Sequence, residues 1–563
     1  MFESRRIFNI PKYQRAYAWE DRQLQDFIHD LENQLLERDY FFGTLLLQVK
    51  ESEGYYKIID LVDGQQRITT LTIFMHILLN SLATYGDEIG ILKETYIKYR
   101  DEYKLRILEY DNEFFKTCIL EDNPEASKLI ETPYQRRLFN AKKFFTERLS
   151  QYSCAKLREF KEKIENAKVL TYAVVNNSEA TLIFETTNDR GKPLTVLEKI
   201  KSFLMYKIYF VSNSPEEDLI SIQNRFGEIY RDFEATQLNL TISEQQILQH
   251  HYIAFEASPD SQKNENYYDS LSLIKQKINL LSSDLNGFSQ AGEYIDKYSR
   301  ELQETFSGVR SMSKEIYGNL LNIFHLKRDA YFFPILIVAF KFDNTPSRDF
   351  FRRVTKLLEI VSFRVYGIRK RRQKNTTLRN SLYALAQKFE GDIEQLINGL
   401  KDIIGEFCSD REFRDKLSSS RFYEDVAAQN DLTYLFWQYE NYIRRVESQE
   451  WIGYRRYRNL SIEHIIPQVP RQLKDWMDDE FFDNYLNSIG NLTLDTISEN
   501  SSKSNLSFEQ KYYYYYQHSP FLSQRELNKF INQETNDWDI TSVKDRQQKV
   551  INFAMDYWDY RSV

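Results

Sequence analysis

The residues best suited to hydrolytic chemistry lie toward the end of the chain: Glu463 and His464 in SIEHIIPQ, Asn491 in IGNLTL and Asn500 in SENSSKSN. Consecutive side chains on a strand leave it in different directions. The Glu463 carboxylate can therefore hold a hard divalent ion while the His464 imidazole, with an ordinary pKa of about 6.5, takes a proton from water. Phosphodiester hydrolysis needs both functions. An amide oxygen from Asn500 would complete the protein's share of a magnesium site, which normally keeps several waters. A Glu-His pair on its own equally describes a hydrogen-bonded structural histidine. The spacing of His464, Asn491 and Asn500 is what singles this set out.

A second constellation lies in IDLVDGQQRITTLTIF, where Asp63, Gly64, Gln65, Gln66 and Arg67 fall between a strand pattern and a helix pattern. A helix start offers unpaired N–H groups and a positive dipole end, Gly64 lets a ligand approach the backbone, and Arg67 adds a forked donor suited to phosphate oxygens. A triphosphate fits that description. So does a plain turn in which Asp63 caps the helix. In IPKYQRAYAWE, Gln14 and Arg15 could serve phosphate or sugar while Tyr13, Tyr17 and Trp19 pack. In FETTNDRGKPL, Glu185 and Asn188 are candidate metal or ribose contacts beside Arg190, and a helix end closed by Gly191 explains that segment as well.

The elements that must position these groups are readable from periodicity. A helix over 22–37, two β-like runs (YFFGTLLLQV and YYKIIDLV) and a helix over 65–82 predict an α/β unit, to which the buried strand KVLTYAVV returns after a charged, helical stretch over 85–170. From 215 to 400 the periodicity is helical. The last part begins helically at about 410 to 447, and its apolar pieces 460–468 and 489–494 pair as a β-hairpin. The expected domains are thus 1–214, 215–409 and 410–563.

At 563 residues with 42% hydrophobic and 28% charged side chains, the chain is a large globular protein. Its 3 cysteines are far apart, which excludes a cysteine zinc knuckle and fits a reducing, cytoplasmic compartment. The apolar run 331–340 is too short to span a bilayer and contains Pro334, so no membrane partner is expected. A net charge of -8 excludes coating nucleic acid over the whole surface. Two basic runs could still grip DNA phosphates: Arg369, Lys370, Arg371, Arg372 and Lys374, in a stretch without acids, and Arg455, Arg456 and Arg458 just before Glu463. Solvated faces pairing with the protein's own acids are the alternative.

Taken in order, IPxYQRxYxW, DGQQR and FExxNxRGxxL resemble the GmrS-type domain of modification-dependent restriction enzymes, over about residues 5 to 205. That resemblance implies a ParB/sulfiredoxin-like α/β fold that binds and hydrolyses nucleoside triphosphates. Gln14, Arg15, Asp63, Gly64, Gln65, Gln66, Arg67, Asn188 and Arg190 carry over as nucleotide-binding positions, with Asp63 also catalytic; Glu198 stands where an Asp is more usual. Likewise EHIIPQ, IGNLTL, NSSKSN and FEQK resemble the GmrD-type HNH domain, over about 410 to 563, which implies a ββα-metal motif. By that resemblance His464 is the general base, Glu463 and Asn500 are metal ligands, Asn491 orients the histidine or its loop, and Lys511 matches a family lysine.

The expectation is a GmrSD-type, SspE-like defence nuclease. It comprises a nucleotide-hydrolysing domain, a helical connector and an HNH domain that uses magnesium or another divalent cation to nick or cut DNA. Its partners would be a nucleoside triphosphate and modified phage DNA, glucosylated or phosphorothioated, with a homo-oligomer compatible with both. The alternatives are a ParB-like nucleotide-switched DNA-binding protein without nuclease activity and an RNA-directed HNH nuclease.

Overall fold

A computed structural model of the chain describes all residues except 1, 3–4, 35–39, 124, 175–193, 238–239, 241, 258–268, 284–286, 315–317, 344, 369–374, 427–428 and 454–458. The chain divides into two compact units, Met1–His251 with Asn266–Lys314, and Tyr252–Glu265 with Glu315–Val563. Helices of the 215–409 stretch occur in both.

The first unit is built on a five-stranded mixed sheet of order β6-β1-β3-β2-β7. Its strands are β1 (Arg6–Asn9), β2 (Phe41–Glu53), β3 (Tyr56–Asp63), β6 (Leu105–Arg106) and β7 (Lys168–Val174). β1 runs parallel to β3, and β2 and β3 are antiparallel. The alternation of β2 and β3 sends Leu45, Leu47, Ile59 and Leu61 into one core with α1 (Asp21–Asn33), α2 (Gln65–Thr84), α3 (Pro133–Leu149) and α4 (Cys154–Glu165). α2 is apolar on nearly every side, with Ile68, Leu71, Phe74, Met75, Leu78 and Leu82 all buried. It is a core helix rather than a surface one. Residues 196–314 add α5 (Val196–Val211), α6 (Pro215–Gln237) and α7 (Phe288–Lys314), with α6 packed against both α5 and α7.

Two sequence expectations change here. The stretch 85–170 is not helical throughout: β4 (Lys98–Tyr99) and β5 (Glu102–Tyr103) form a small antiparallel pair, and β6 joins β1. Pairing to a partner distant in sequence overrides the local period. KVLTYAVV does form a strand, but an edge strand and not a buried one. β7 pairs only with β2 among the described residues, leaving Leu170 and Tyr172 59% and 48% exposed. No helix is long and apolar enough to cross a membrane among the described residues.

The second unit is helical around one antiparallel strand pair, β8 (Leu460–His464) and β9 (Leu492–Thr496). Residues 465–491 separate the two strands, so the pair is not a tight hairpin. α8 (Gln429–Val446), α9 (Ile497–Lys503), α10 (Phe508–Tyr514) and α11 (Ile540–Tyr557) surround or follow it. Ile465, Phe481, Phe508, Tyr516, Trp538 and Val543 make the core beneath it.

Candidate active site

In the β8–β9 pair, Glu463 lies opposite Thr493 and His464 opposite Leu492, at the end of the ladder. His464 is the last residue of β8, so its side chain and that of Glu463 leave the strand end in different directions. On the Glu463 face the Lys511 ammonium pairs with Glu463 Oε1 at 2.6 Å and donates to the His464 carbonyl at 2.7 Å, and the Tyr516 hydroxyl donates to the same carboxylate oxygen at 3.3 Å. Both ions are buried, and the paired charges compensate what each loses in desolvation. Burial pushes the Glu463 carboxyl up, against the pull of Lys511. A second buried pair, Lys503 with Asp495 at 2.6 Å, lies on the same strand face.

Beyond the end of the strand, the His464 ring is buried and sits edge-on to Tyr423, with centroids 4.5 Å apart. Its Nε2 is 3.1 Å from Asn487 Oδ1. Burial lowers the imidazole pKa to about 4, although the Asn487 hydrogen bond opposes the shift, so the ring is neutral near pH 7. A neutral ring is the form that can accept a proton.

Asn491 and Asn500 fix backbone and strand. Asn491 accepts from the Ile466 N–H at 2.9 Å and donates to the carbonyls of Ile466 and Leu486 at 3.1 and 2.9 Å, tying the chain that leaves His464 to the approach to β9. From α9, Asn500 Nδ2 donates to Ser461 Oγ at 3.1 Å and to the Ile462 carbonyl at 2.8 Å. That use of the NH₂ leaves the amide oxygen as the atom available to a ligand. Arg546 of α11, fully buried, donates to the carbonyls of Gly490 and Leu492 on either side of Asn491.

Among the described residues no group of three or more His, Cys, Asp and Glu side chains could hold a metal. The Asn500 amide oxygen and Glu463 Oε2 are hard oxygens that take no hydrogen bond among the described residues. Two protein oxygens suit an ion that otherwise keeps water.

In the first unit, α2 starts at Gly64, whose φ of 94° is left-handed and whose missing side chain leaves room for Leu45. The N-cap residue is Gly64 and not Asp63, which stands one position before it. Arg67 donates to the Thr44 carbonyl at 2.6 Å and pairs with Asp63 at 3.4 Å. Three glutamines join the motif to the Pro11–Trp19 loop: Gln14 donates to the Val62 carbonyl at 2.7 Å, Gln65 to Gln14 Oε1 at 3.3 Å, and Gln66 bridges the Ala18 N–H and the Ala16 carbonyl. Gln65 Oε1 is buried without a hydrogen-bond partner among the described residues. Arg15 pairs with Glu198 at 2.9 Å. Beside them, Lys201 is buried under Tyr13 and Tyr230, its pKa lowered by burial to about 8.

Of the sequence-derived nucleotide residues, Gln14, Gln65 and Gln66 thus tie the start of α2 at Gly64 to the 11–19 loop, Asp63 pairs with Arg67, and Arg15 pairs separately with Glu198. Asn188 and Arg190, and the basic residues Arg369, Lys370, Arg371, Arg372, Lys374, Arg455, Arg456 and Arg458, lie outside the described residues. Sequence reading missed Asn487, Tyr423, Tyr516, Asp495, Lys503 and Arg546. Asn487, a polar residue just ahead of IGNLTL, carried a faint signal; Arg546 carried none, since its partners are backbone carbonyls more than fifty positions away.

A sheet-based unit with a glycine-started helix and a helical unit with a histidine-bearing strand pair match two domains of one enzyme class. The GmrSD restriction endonuclease N-terminal domain matches residues 1–205, and the GmrSD restriction endonuclease C-terminal domain matches residues 407–553. The chain belongs to the GmrSD restriction endonucleases and carries both domains. No curated protein matches it.

Proposed function

We propose that this restriction endonuclease cleaves DNA phosphodiesters at an HNH site formed by β8, β9 and α9, with His464 as general base. The observation that carries the reading is the neutral, buried His464 at the end of a strand whose preceding residues are held by Asn500. His464 takes the proton of the attacking water while the water oxygen forms its bond to phosphorus and the bond to the leaving oxygen breaks. Glu463 and Asn500 would hold a magnesium ion, which supplies charge stabilisation at the scissile phosphate. Asn491 and Lys511 hold the backbone on which the histidine rides.

The first unit we assign to binding and hydrolysing a nucleoside triphosphate. Phosphates would meet the open start of α2 at Gly64, Gln65 and Gln66 and the guanidinium of Arg67, with Gln14, Arg15, Asn188 and Arg190 around them and Asp63 as the acidic group of hydrolysis. What supports this is a 20-residue helix that starts at a glycine, with the Arg67 guanidinium in its first turn. The substrate is modified phage DNA, held through the two basic runs.

The test is His464→Ala. Strand scission should fall by about 100- to 10,000-fold while nucleotide hydrolysis survives. A folded variant that keeps half of its nicking rate removes His464 from the chemistry.

A further inference from the structure

The partners of the His464 ring reach beyond the strand pair. Asn487 Oδ1 lies 3.1 Å from His464 Nε2, and Asn487 Nδ2 lies 2.9 Å from Glu424 Oε1. An ionised carboxylate only accepts hydrogen bonds, so Glu424 requires the NH₂ end of the Asn487 amide and the oxygen is left to face the ring. An amide oxygen also only accepts. The ring nitrogen it meets must carry the hydrogen, which places the proton on Nε2 and the lone pair on Nδ1. Nδ1 takes no hydrogen bond among the described residues. Glu424 belongs to the helical turn Phe422–Asp425, where it is also paired with Arg421 at 2.5 Å. The same turn carries Tyr423, whose N–H donates to the Asn487 carbonyl at 2.9 Å and whose ring limits rotation of the imidazole. One short turn thus touches the histidine through the Tyr423 ring and holds, through its backbone and Glu424, the Asn487 amide that faces it.

We propose that Asn487, set by Glu424, is a positioning residue for His464: it holds the imidazole with Nε2 protonated, so that Nδ1 is the atom that receives the proton of the attacking water. The proposal rests on the reading of His464 as base. In the step, the water oxygen bonds to phosphorus and its proton moves to Nδ1. The imidazolium keeps its Nε2–H on Asn487, and the phosphorus bond to the leaving oxygen breaks, with that oxygen protonated from solvent. Asn487 then also stabilises the charged ring, because its oxygen accepts from the same Nε2–H before and after transfer.

Two measurements on the full-length protein test this. In protein carrying nitrogen-labelled histidine, with His464→Ala assigning the signal, ring correlation spectra should show His464 protonated at Nε2 and bare at Nδ1; the opposite tautomer overturns the proposal without reference to activity. For kinetics, supercoiled plasmid in unmodified, glucosylated and phosphorothioated forms is offered with magnesium, and the form that the wild type cuts fastest is used. Asn487→Ala should lower kcat by about 10- to 100-fold with KM little changed, the range expected when a histidine loses its orienting partner. The double variant Glu424→Gln with Asn487→Asp exchanges amide and carboxylate but keeps an acceptor on Nε2 and a donor behind it, and should recover most of the rate. A folded Asn487→Ala within about twofold of wild type, while His464→Ala is inactive, overturns the relay alone. Nicking that survives in His464→Ala overturns the reading beneath it.

Discussion

The two candidate sites are built on opposite principles. At β8–β9 the ionic groups are inside: Glu463, Lys511, Asp495 and Lys503 are all buried, each with an oppositely charged partner at 2.6 Å, and backbone carbonyls take further donors from Lys511, Asn491, Asn500 and Arg546. At the start of α2 the Asp63 carboxylate and the Arg67 guanidinium are 40% and 27% exposed, and the neutral amides of Gln14, Gln65 and Gln66 make the connections. Buried charge fixes geometry because any displacement leaves an ion without solvent or partner. The amides of Gln14 and Gln65 are buried as well but carry no charge, so a change of partner there strands no ion. The contrast suits a hydrolytic site that must be rigid and a ligand site that must accept and release.

The strongest break of this contrast removes one member of the buried pair. Lys511→Met should cost about 3–5 kcal/mol in thermal or denaturant unfolding, because it strands the Glu463 carboxylate inside the protein. Adding Glu463→Leu should restore most of that stability, since an apolar pair of similar volume needs no desolvation. Nicking should stay impaired in the double variant, as the His464 carbonyl has lost its donor and the proposed magnesium site has lost Glu463. If the double variant is no more stable than Lys511→Met, the pair does not carry the rigidity assigned to it.

Next in size is Gly64→Ala. With φ at 94° and Leu45 in the space a side chain would take, it should lose about 1–3 kcal/mol and weaken triphosphate binding, read by calorimetry. The same substitution at Gly86, where nothing lies within reach of a side chain, meets only the backbone penalty and should leave binding intact. Equal binding defects at both positions would mean that the loss at Gly64 is not local.

Acidity separates the sites more gently. His464 titrates at about 4 in the folded protein against about 6.5 when unfolded, so below 6.5 the unfolded chain binds the proton first. Its contribution to stability is present in full above 6.5 and drains away as pH falls toward 4. His464→Gln should therefore flatten part of the loss of unfolding stability between pH 6.5 and 4, and an unchanged slope would contradict a buried neutral ring. The smallest expected effect is Arg67→Ala, which should weaken triphosphate binding by about tenfold, one charge-assisted phosphate contact, with stability changed by about 1 kcal/mol. Unchanged affinity would move the nucleotide away from α2.

Much of the site chemistry was legible along the chain because its signals are local. Asp63-Gly64 at a strand-to-helix junction, Glu463-His464 on an apolar strand and the helix over 65–82 are all patterns within a few residues. The length of the helix followed from its apolar period, and its start from the glycine. What was not legible involved distant pairing: β6 joining β1, and β7 lying exposed at an edge.

The sequence by itself determined which chemistry is present, because side-chain type fixes what can donate, accept or carry charge. Only the tertiary structure decided who holds whom. The Lys511 ammonium reaches the carbonyl of His464, and Glu424 sets the amide that faces its ring. These are hydrogen bonds across tens of positions, chosen by burial and by the demand that every buried polar group find a partner. No local period in the chain encodes that demand.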